Sequence, residues 1–198
     1  MQYMRIEGKC EWAHVQQPNT KWVKPHGEYS IDVIVPADKA AVLCEQLDEL
    51  AKKKLDEVVK EAKPEKQKQL KDALSIVQTG KKYYDKNGDH DGSMVFKAKR
   101  AAVITSKSGQ EYTQNIAVMD SKKTPIPKTV MVGNESDVKI VVEPYPYLMQ
   151  SNKTVGVSLR LHAVQVINLV EPANKGASAL LDEEDGYIAQ AVAKDDIS

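Results

Sequence analysis

The chain has 198 residues, no net charge, 41% hydrophobic and 28% charged residues, which is enough for one large domain or two small ones with a real core. No run approaches the roughly 18 apolar residues of a membrane span, and the N-terminal stretch has no apolar signal core, which argues against secretion. Cys10 and Cys44 fit no metal spacing and no disulfide framework, so both read as reduced, buried thiols.

The zero charge conceals a division. Residues 182–198 hold six acids (Asp182, Glu183, Glu184, Asp185, Asp195, Asp196) and one basic residue, Lys194. That segment carries −5, so residues 1–181 carry +5. A basic body attracts polyanions, and an acidic tail can compete with them or address other proteins. An unconstrained solubilising tail is the plain alternative.

Residues 3–14 alternate, with Met4, Ile6, Gly8, Cys10 and Trp12 on one face and Arg5, Glu7, Lys9 and Glu11 on the other. The pattern predicts a half-buried first strand with Trp12 in the core. A loop with Pro18, Asn19, Pro25 and Gly27 follows and carries Lys21, Trp22, Lys24 and His26. Residues 29–35 form a second strand with Tyr29, Ile31, Val33 and Val35 inward. The period then becomes helical. Asp38 is placed to cap a helix whose stripe is Leu43, Leu47, Leu50, Ala51, Leu55, Val58 and Ala62. Pro64 opens another with Leu70, Ala73, Leu74 and Val77 at i, i+3, i+4 and i+7. Together, over about 38–78, they hold nine acids and nine basic residues and read as a solvated αα insertion packed on a β-core. A homodimer through these helices is an alternative that the short stripe disfavours.

Lys81, Lys82, Tyr83 and Tyr84 precede the polar turn 85–93. Residues 94–104 predict a third strand with Lys97 and Lys99 on one face and Phe96, Ala98 and Arg100 on the other. A turn over 106–110, a strand over 112–119 and a kinked segment into 129–132 follow. The chain then enters its longest β-hairpin. Val138–Val142 is β-branched and stops at Pro144. Val155–Val170 alternates, with Val157, Leu159, Leu161 and Ala163 on one face and Ser158, Arg160 and His162 on the other. Both faces turn apolar by Val164, which predicts cover on both sides there. Gly156 offers a bend. A strand of that length suits a small barrel.

This order, with 132–140 reading VGNESDVKI, 156–159 reading GVSL, 163–167 reading AVQVI and the Asp89–Gly92 turn, resembles the single-stranded-DNA-binding proteins of tailed bacteriophages. The resemblance covers most of 1–172 and the character of the tail. A second glycine, frequent in the family's turn before the hairpin, is replaced by Glu135. The resemblance implies a mainly β protein: a five-stranded OB-fold barrel over 1–172, with the helical insertion at about 38–78, then a linker and flexible acidic C-terminal tail over 173–198. It implies sequence-independent binding of single-stranded DNA in phage replication and recombination, in the cytoplasm of the infected host. The acidic residues of the tail would contact replication proteins and occupy the DNA groove when DNA is absent. No catalysis, cofactor, metal or membrane is expected.

Binding single strands needs cations along the phosphates and aromatic faces for the bases. An OB-fold binds through its second and third strands and two loops, here 16–27 and 144–153. Lys21, Trp22 and Lys24 lie in the first loop, and Tyr145, Tyr147 and Lys153 in the second. Lys97 and Lys99 lie on the third strand, preceded by Lys81, Lys82, Tyr83 and Tyr84. Trp22, between lysines and prolines, reads as an exposed stacking residue, and Tyr29 reads as core. One of Tyr83 and Tyr84 must face inward, because neighbours on an extended chain point apart. Tyr145 and Tyr147 share a face and either stack on bases or pack across the hairpin. Arg160 and Lys139 are weaker candidates.

Two other classes remain. The oxygens of Asp85, Asn87, Asp89 and Asp91 copy the start of a calcium loop, but His90 and Phe96 stand where that loop needs glycine and glutamate. A polar turn is the better reading, and a metal-dependent nuclease built on Asp85–Asp91 is the enzymatic alternative. The other is an adaptor acting through the helices and tail. The histidines are scattered, no serine sits in a nucleophile elbow, and no glycine-rich phosphate loop occurs.

Overall fold

The computed structural model describes residues 2–21 and 23–172. Trp22 and the expected linker and tail, 173–198 with all six of its acids, lie outside the described residues. The fold is mainly β. In chain order it contains β1 (Met4–Asn19), β2 (Glu28–Val35), α1 (Ala37–Glu61), α2 (Pro64–Ala73), β3 (Ser75–Ile76), β4 (Lys81–Lys82), β5 (Met94–Ala101), β6 (Val103–Thr105), β7 (Glu111–Thr113), β8 (Ala117–Met119), β9 (Asp137–Met149) and β10 (Thr154–Asn168).

The main sheet runs β3-β10-β9-β1-β2-β5-β4, and β8 joins β10 in parallel. β5 also meets β10 in parallel, with Leu159 opposite Ala98 and Arg160 opposite Lys99. The inward side chains form one core, centred on Ile6, Cys10, Ile31, Phe96, Ile140 and Leu161. Tyr29 is buried, as its parity predicts. β6 and β7 form a separate two-stranded ribbon.

Two bulges decide which side chains face out. In β1, Glu11 pairs with Asp32 and His14 with Ser30, so Trp12 and Ala13 together oppose Ile31. The extra residue reverses the alternation: Cys10 is buried, then Val15. In β10 the register shifts between Leu161 and Ala163, so the buried series passes from Leu161 to Val164 and Val166. The two apolar faces expected after Val164 are one inward face whose parity has changed; Ile167 is exposed.

The first strand is longer than predicted and reaches Asn19, which shortens the first loop to 20–27. β9 likewise passes through Pro144 and Pro146 to Met149, so Tyr145 and Tyr147 are strand residues and the second loop is only 150–153. β9 pairs with β1 no further than Val142. Beyond it that edge is open, and a proline without an N–H is tolerated there.

α1 buries Ala40, Leu43, Cys44, Leu47 and Ala51 at helical spacing and packs on β9 and β10. Asp38 is not its cap. Pro36 occupies that position and accepts the Ala40 N–H at 2.8 Å, while Asp38 sits in the first turn, where the helix dipole favours an acid. α2 buries none of its side chains and ends at Ala73. The predicted stripe breaks because Ser75 and Val77 donate to the carbonyls of Lys153 and Val155, adding a short strand to β10. β-branched Ile76 and Val77 suit that conformation. The predicted 94–104 strand breaks at Ala102, whose N–H goes to the Gly27 carbonyl. The predicted 112–119 strand divides between β7 and β8, and 129–132 is irregular.

Candidate nucleic-acid interface

The strand registers align outward side chains of four neighbouring strands. Asp32 faces Lys97 and Ser30 faces Lys99 across β2 and β5. Lys99 faces Arg160 across β5 and β10, and Ser158 faces Tyr145 across β10 and β9. The Arg160 guanidinium lies 3.5 Å from the centroid of the Tyr145 ring, well inside cation–π range. Tyr145 keeps 45% of its surface exposed. Lys99, Arg160 and Tyr145 therefore form one contiguous patch of two cations and an aromatic face.

The lysines of β5 are not bare. Lys97 lies 3.5 Å from an Asp32 carboxylate oxygen, and Lys99 lies 2.9 Å from Glu28. These acids were invisible to a reading that counted charge along β5 alone. The ammonium ends are half exposed while the acids keep only 19% and 23% of their surface, so a phosphate reaches each lysine from the solvent side and competes with the carboxylate for it.

The two hairpin tyrosines separate. Tyr147 lies over Gly156, where an added Cβ would come within 2.7 Å of its hydroxyl oxygen, so it packs across the hairpin. Tyr145 is the one left open. Tyr83 is half-buried; its N–H donates to the Ser93 carbonyl, and burial with nearby Glu11 and Glu135 raises its phenol. Tyr84 is exposed beside the His90 ring, 5.3 Å between centroids. Lys81 and Lys82 are exposed on β4, against Val95 and Met94 at the start of β5. Lys21 and Lys24 lie in the 20–27 loop, which His26 ties to Glu111 of β7 at 3.2 Å. Lys153 is not part of the patch. It sits in the hairpin turn and lines a groove with Leu70 and Leu74, seven residues from Arg160, roughly 23 Å along the strand.

Trp12 corrects a prediction. It is 65% exposed, because the β1 bulge turns it out beside Glu11 while Cys10 stays in the core. Alternation counted from Met4 cannot reveal a bulge. Arg160 is more central to the patch than its place in the sequence suggests, and the ribbon adds an exposed pair, Ile104 opposite Tyr112. Ile104 joins Lys99, Arg100, Glu143, Arg160 and His162 around a cleft of about 530 Å³ where β5 and β10 part. A basic turn followed by an aromatic, Lys107 then Tyr112, is the signal that could have found the ribbon.

Asp85 and Asp91 hold the turn between β4 and β5. One Asp85 oxygen accepts the N–H groups of Asn87 and Asp89, each at 2.8 Å. Asp91 accepts the Ser93 N–H at 2.8 Å, and the hydrogen bonds from Ser93 hold its carboxyl below the usual carboxylate range. Among the described residues no group of three or more His, Cys, Asp or Glu is placed to hold a metal ion. The carboxylates that the nuclease alternative requires do not converge.

The family described as single-stranded DNA-binding protein, bacteriophage T7, matches over residues 7–169. A single-stranded DNA-binding protein of Enterobacteria phage T3 is 27% identical over 169 residues, covering 82% of this chain and 71% of that protein. Among solved structures, gp2.5, a single-stranded DNA-binding protein encoded by bacteriophage T7, superposes with a TM-score of 0.66 at 21% identity, covering 96% of this chain and 99% of that one. The single-stranded DNA-binding protein of bacteriophage Enc34, in complex with single-stranded DNA, gives 0.56 at 14% identity, covering 87% and 89%.

Proposed function

Because the chain belongs to the bacteriophage T7 family of single-stranded DNA-binding proteins, we propose that it coats single-stranded DNA without sequence preference during phage replication and recombination. The observation that carries this reading is the patch in which Lys99, Arg160 and Tyr145 meet across three strands. It offers cations for phosphates and a half-exposed ring, one face under Arg160 and the rest toward solvent, for a base, the two things that sequence-tolerant binding needs. Lys97 extends the patch along β5. Lys81, Lys82 and Tyr84 flank the start of that strand, and Lys21, Trp22 and Lys24 the 20–27 loop. Tyr83, Tyr147 and Lys153 have lesser parts: the first two are largely engaged in packing, and the third is remote.

Residues 1–172 are the binding unit. The order β1-β2-β5-β10-β9, with β9 returning to β1 and β5 meeting β10 in parallel, supports a five-stranded OB barrel carrying the helices as an insertion between its second and third strands. Residues 173–198 are a linker and acidic tail that competes for the cationic patch and addresses replication proteins. Binding without catalysis is the reading, and the use of the Asp85 and Asp91 carboxylates to hold a turn supports it. The host cytoplasm is its place of action. No described helix is long and apolar enough to cross a membrane.

The test is fluorescence anisotropy of a labelled homopolymeric single strand titrated with the full chain at rising salt. The expected result is saturable binding whose logarithm falls linearly with the logarithm of salt, at about 0.7 per phosphate contacted. Absence of binding at low salt sinks the reading.

A further inference from the structure

We propose that Trp12 is a base-stacking platform, displayed by the β1 bulge at the edge of the cationic patch. The proposal rests on the single-stranded-DNA reading and adds to it a residue that no sequence pattern assigns.

Trp12 has a φ of 51°, in the left-handed region that costs a non-glycine residue about 1–2 kcal/mol. Glycine is the usual residue at such a bulge position. A large side chain there should gain something in return, and burial is not that gain, since the indole is 65% exposed. The strain and the exposure together imply that the ring acts on something outside the chain.

The backbone at this position is also held by the neighbouring turn. The Trp12 N–H donates to Asn134 Oδ1 at 2.9 Å. Next to it Cys10 exchanges two backbone bonds with the same turn: its N–H donates to the Ser136 carbonyl at 2.9 Å and its carbonyl accepts the Glu135 N–H at 2.8 Å. Glu135 is itself left-handed, at φ 69°, and Ser136 is fully buried, its hydroxyl donating to the Gly133 carbonyl at 2.8 Å. A backbone held in place before binding lowers the entropy lost when a base stacks on the side chain it carries.

Trp12 lies between the His14–Ser30 and Glu11–Asp32 pairs of β1 and β2. Ser30 faces Lys99, Lys99 faces Arg160, and Arg160 covers Tyr145. Trp12 and Tyr145 thus end one transverse row over five strands, roughly 19 Å around the surface at about 4.8 Å per strand. The cations lie between them. At the Trp12 end Glu135 pairs with Lys9 at 3.4 Å and Asp32 with Lys97 at 3.5 Å, while burial, with these two acids nearby, raises the Glu11 carboxyl. With the phosphates following Lys99 and Arg160, the exposed indole is left to a base face. A protein contact through the same indole is the competing outcome.

The experiment compares the full-length chain with Trp12→Gly and Trp12→Phe by anisotropy on a labelled oligothymidylate, over a salt series, with melting temperatures. Glycine relieves the left-handed strain, so the melting temperature of Trp12→Gly should hold or rise. Its affinity should fall about 5- to 150-fold, the range that about 1–3 kcal/mol per stacked base corresponds to. The salt slope should stay unchanged, because a base contact releases no counterion. Trp12→Phe should recover most of the loss. Wild-type affinity in Trp12→Gly overturns the proposal and leaves the indole to a protein partner. So does a Phe variant that is as weak as Gly. Failure of the wild type to bind is a separate result: it removes the DNA reading itself.

Discussion

At the scale of single residues, the interface is decided by partners that lie far apart in the sequence. Lys99 has the charge and parity that a phosphate contact needs, yet Glu28 holds it at 2.9 Å across the sheet. Phosphate and carboxylate compete for the same ammonium. Glu28→Gln removes the competitor and keeps the side-chain length, so single-strand affinity should rise up to about fivefold, the equivalent of about 1 kcal/mol. Anisotropy at low salt reads it, and affinity at or below wild type would show that Lys99 does not contact DNA. The same distance effect governs Cys10. Its thiol is pushed up to about 11, mainly by burial, and stays protonated at neutral pH, as the plain reading of a lone cysteine expects.

At the scale of elements, the irregularities carry the function. A regular β1 would bury Trp12; the bulge exposes it. A β9 that stopped at Pro144 would leave Tyr145 in a loop; its continuation to Met149 places Tyr145 under Arg160. The regular parts also have fixed requirements. Gly8 stands where β1 crosses β2, and an added Cβ would lie 1.9 Å from the Ile34 carbonyl oxygen. That atom is backbone and cannot rotate away. Gly8→Ala should therefore destabilise the protein by about 3 kcal/mol or more, read as a lower urea midpoint. An unchanged midpoint would mean that the two strands are further apart than described.

At the scale of the whole molecule, charge is divided along the chain: +5 over residues 1–181 and −5 over 182–198. If the tail competes with DNA for the cationic patch, deletion of 182–198 should tighten single-strand binding and steepen its salt dependence. Weaker binding by the truncated chain would remove the competition and leave the tail a role toward proteins alone. The helices belong to this scale too. α1 closes the core over β9 and β10, whereas α2 contributes no buried side chain and leaves its surface to solvent.

The sequence by itself determined the inward residues of β2, β5 and the first halves of β1 and β10, the helical stripe of α1, and the cationic face of β5. Each follows from a period of 2 or 3.6, which a chain displays locally. It also displayed the family, through the order of its elements and the residues around Val132–Ile140. Only the tertiary structure decided the rest. A bulge inserts one residue and inverts every later assignment, and nothing between Met4 and His14 marks where it falls. The Glu28–Lys99 pair, the Arg160–Tyr145 stack and the exposure of Trp12 depend on residues distant in the chain, 71 apart for the first pair, meeting in register. Registers are set by the core as a whole, so the interface could be proposed from the sequence but its members could be sorted only in the fold.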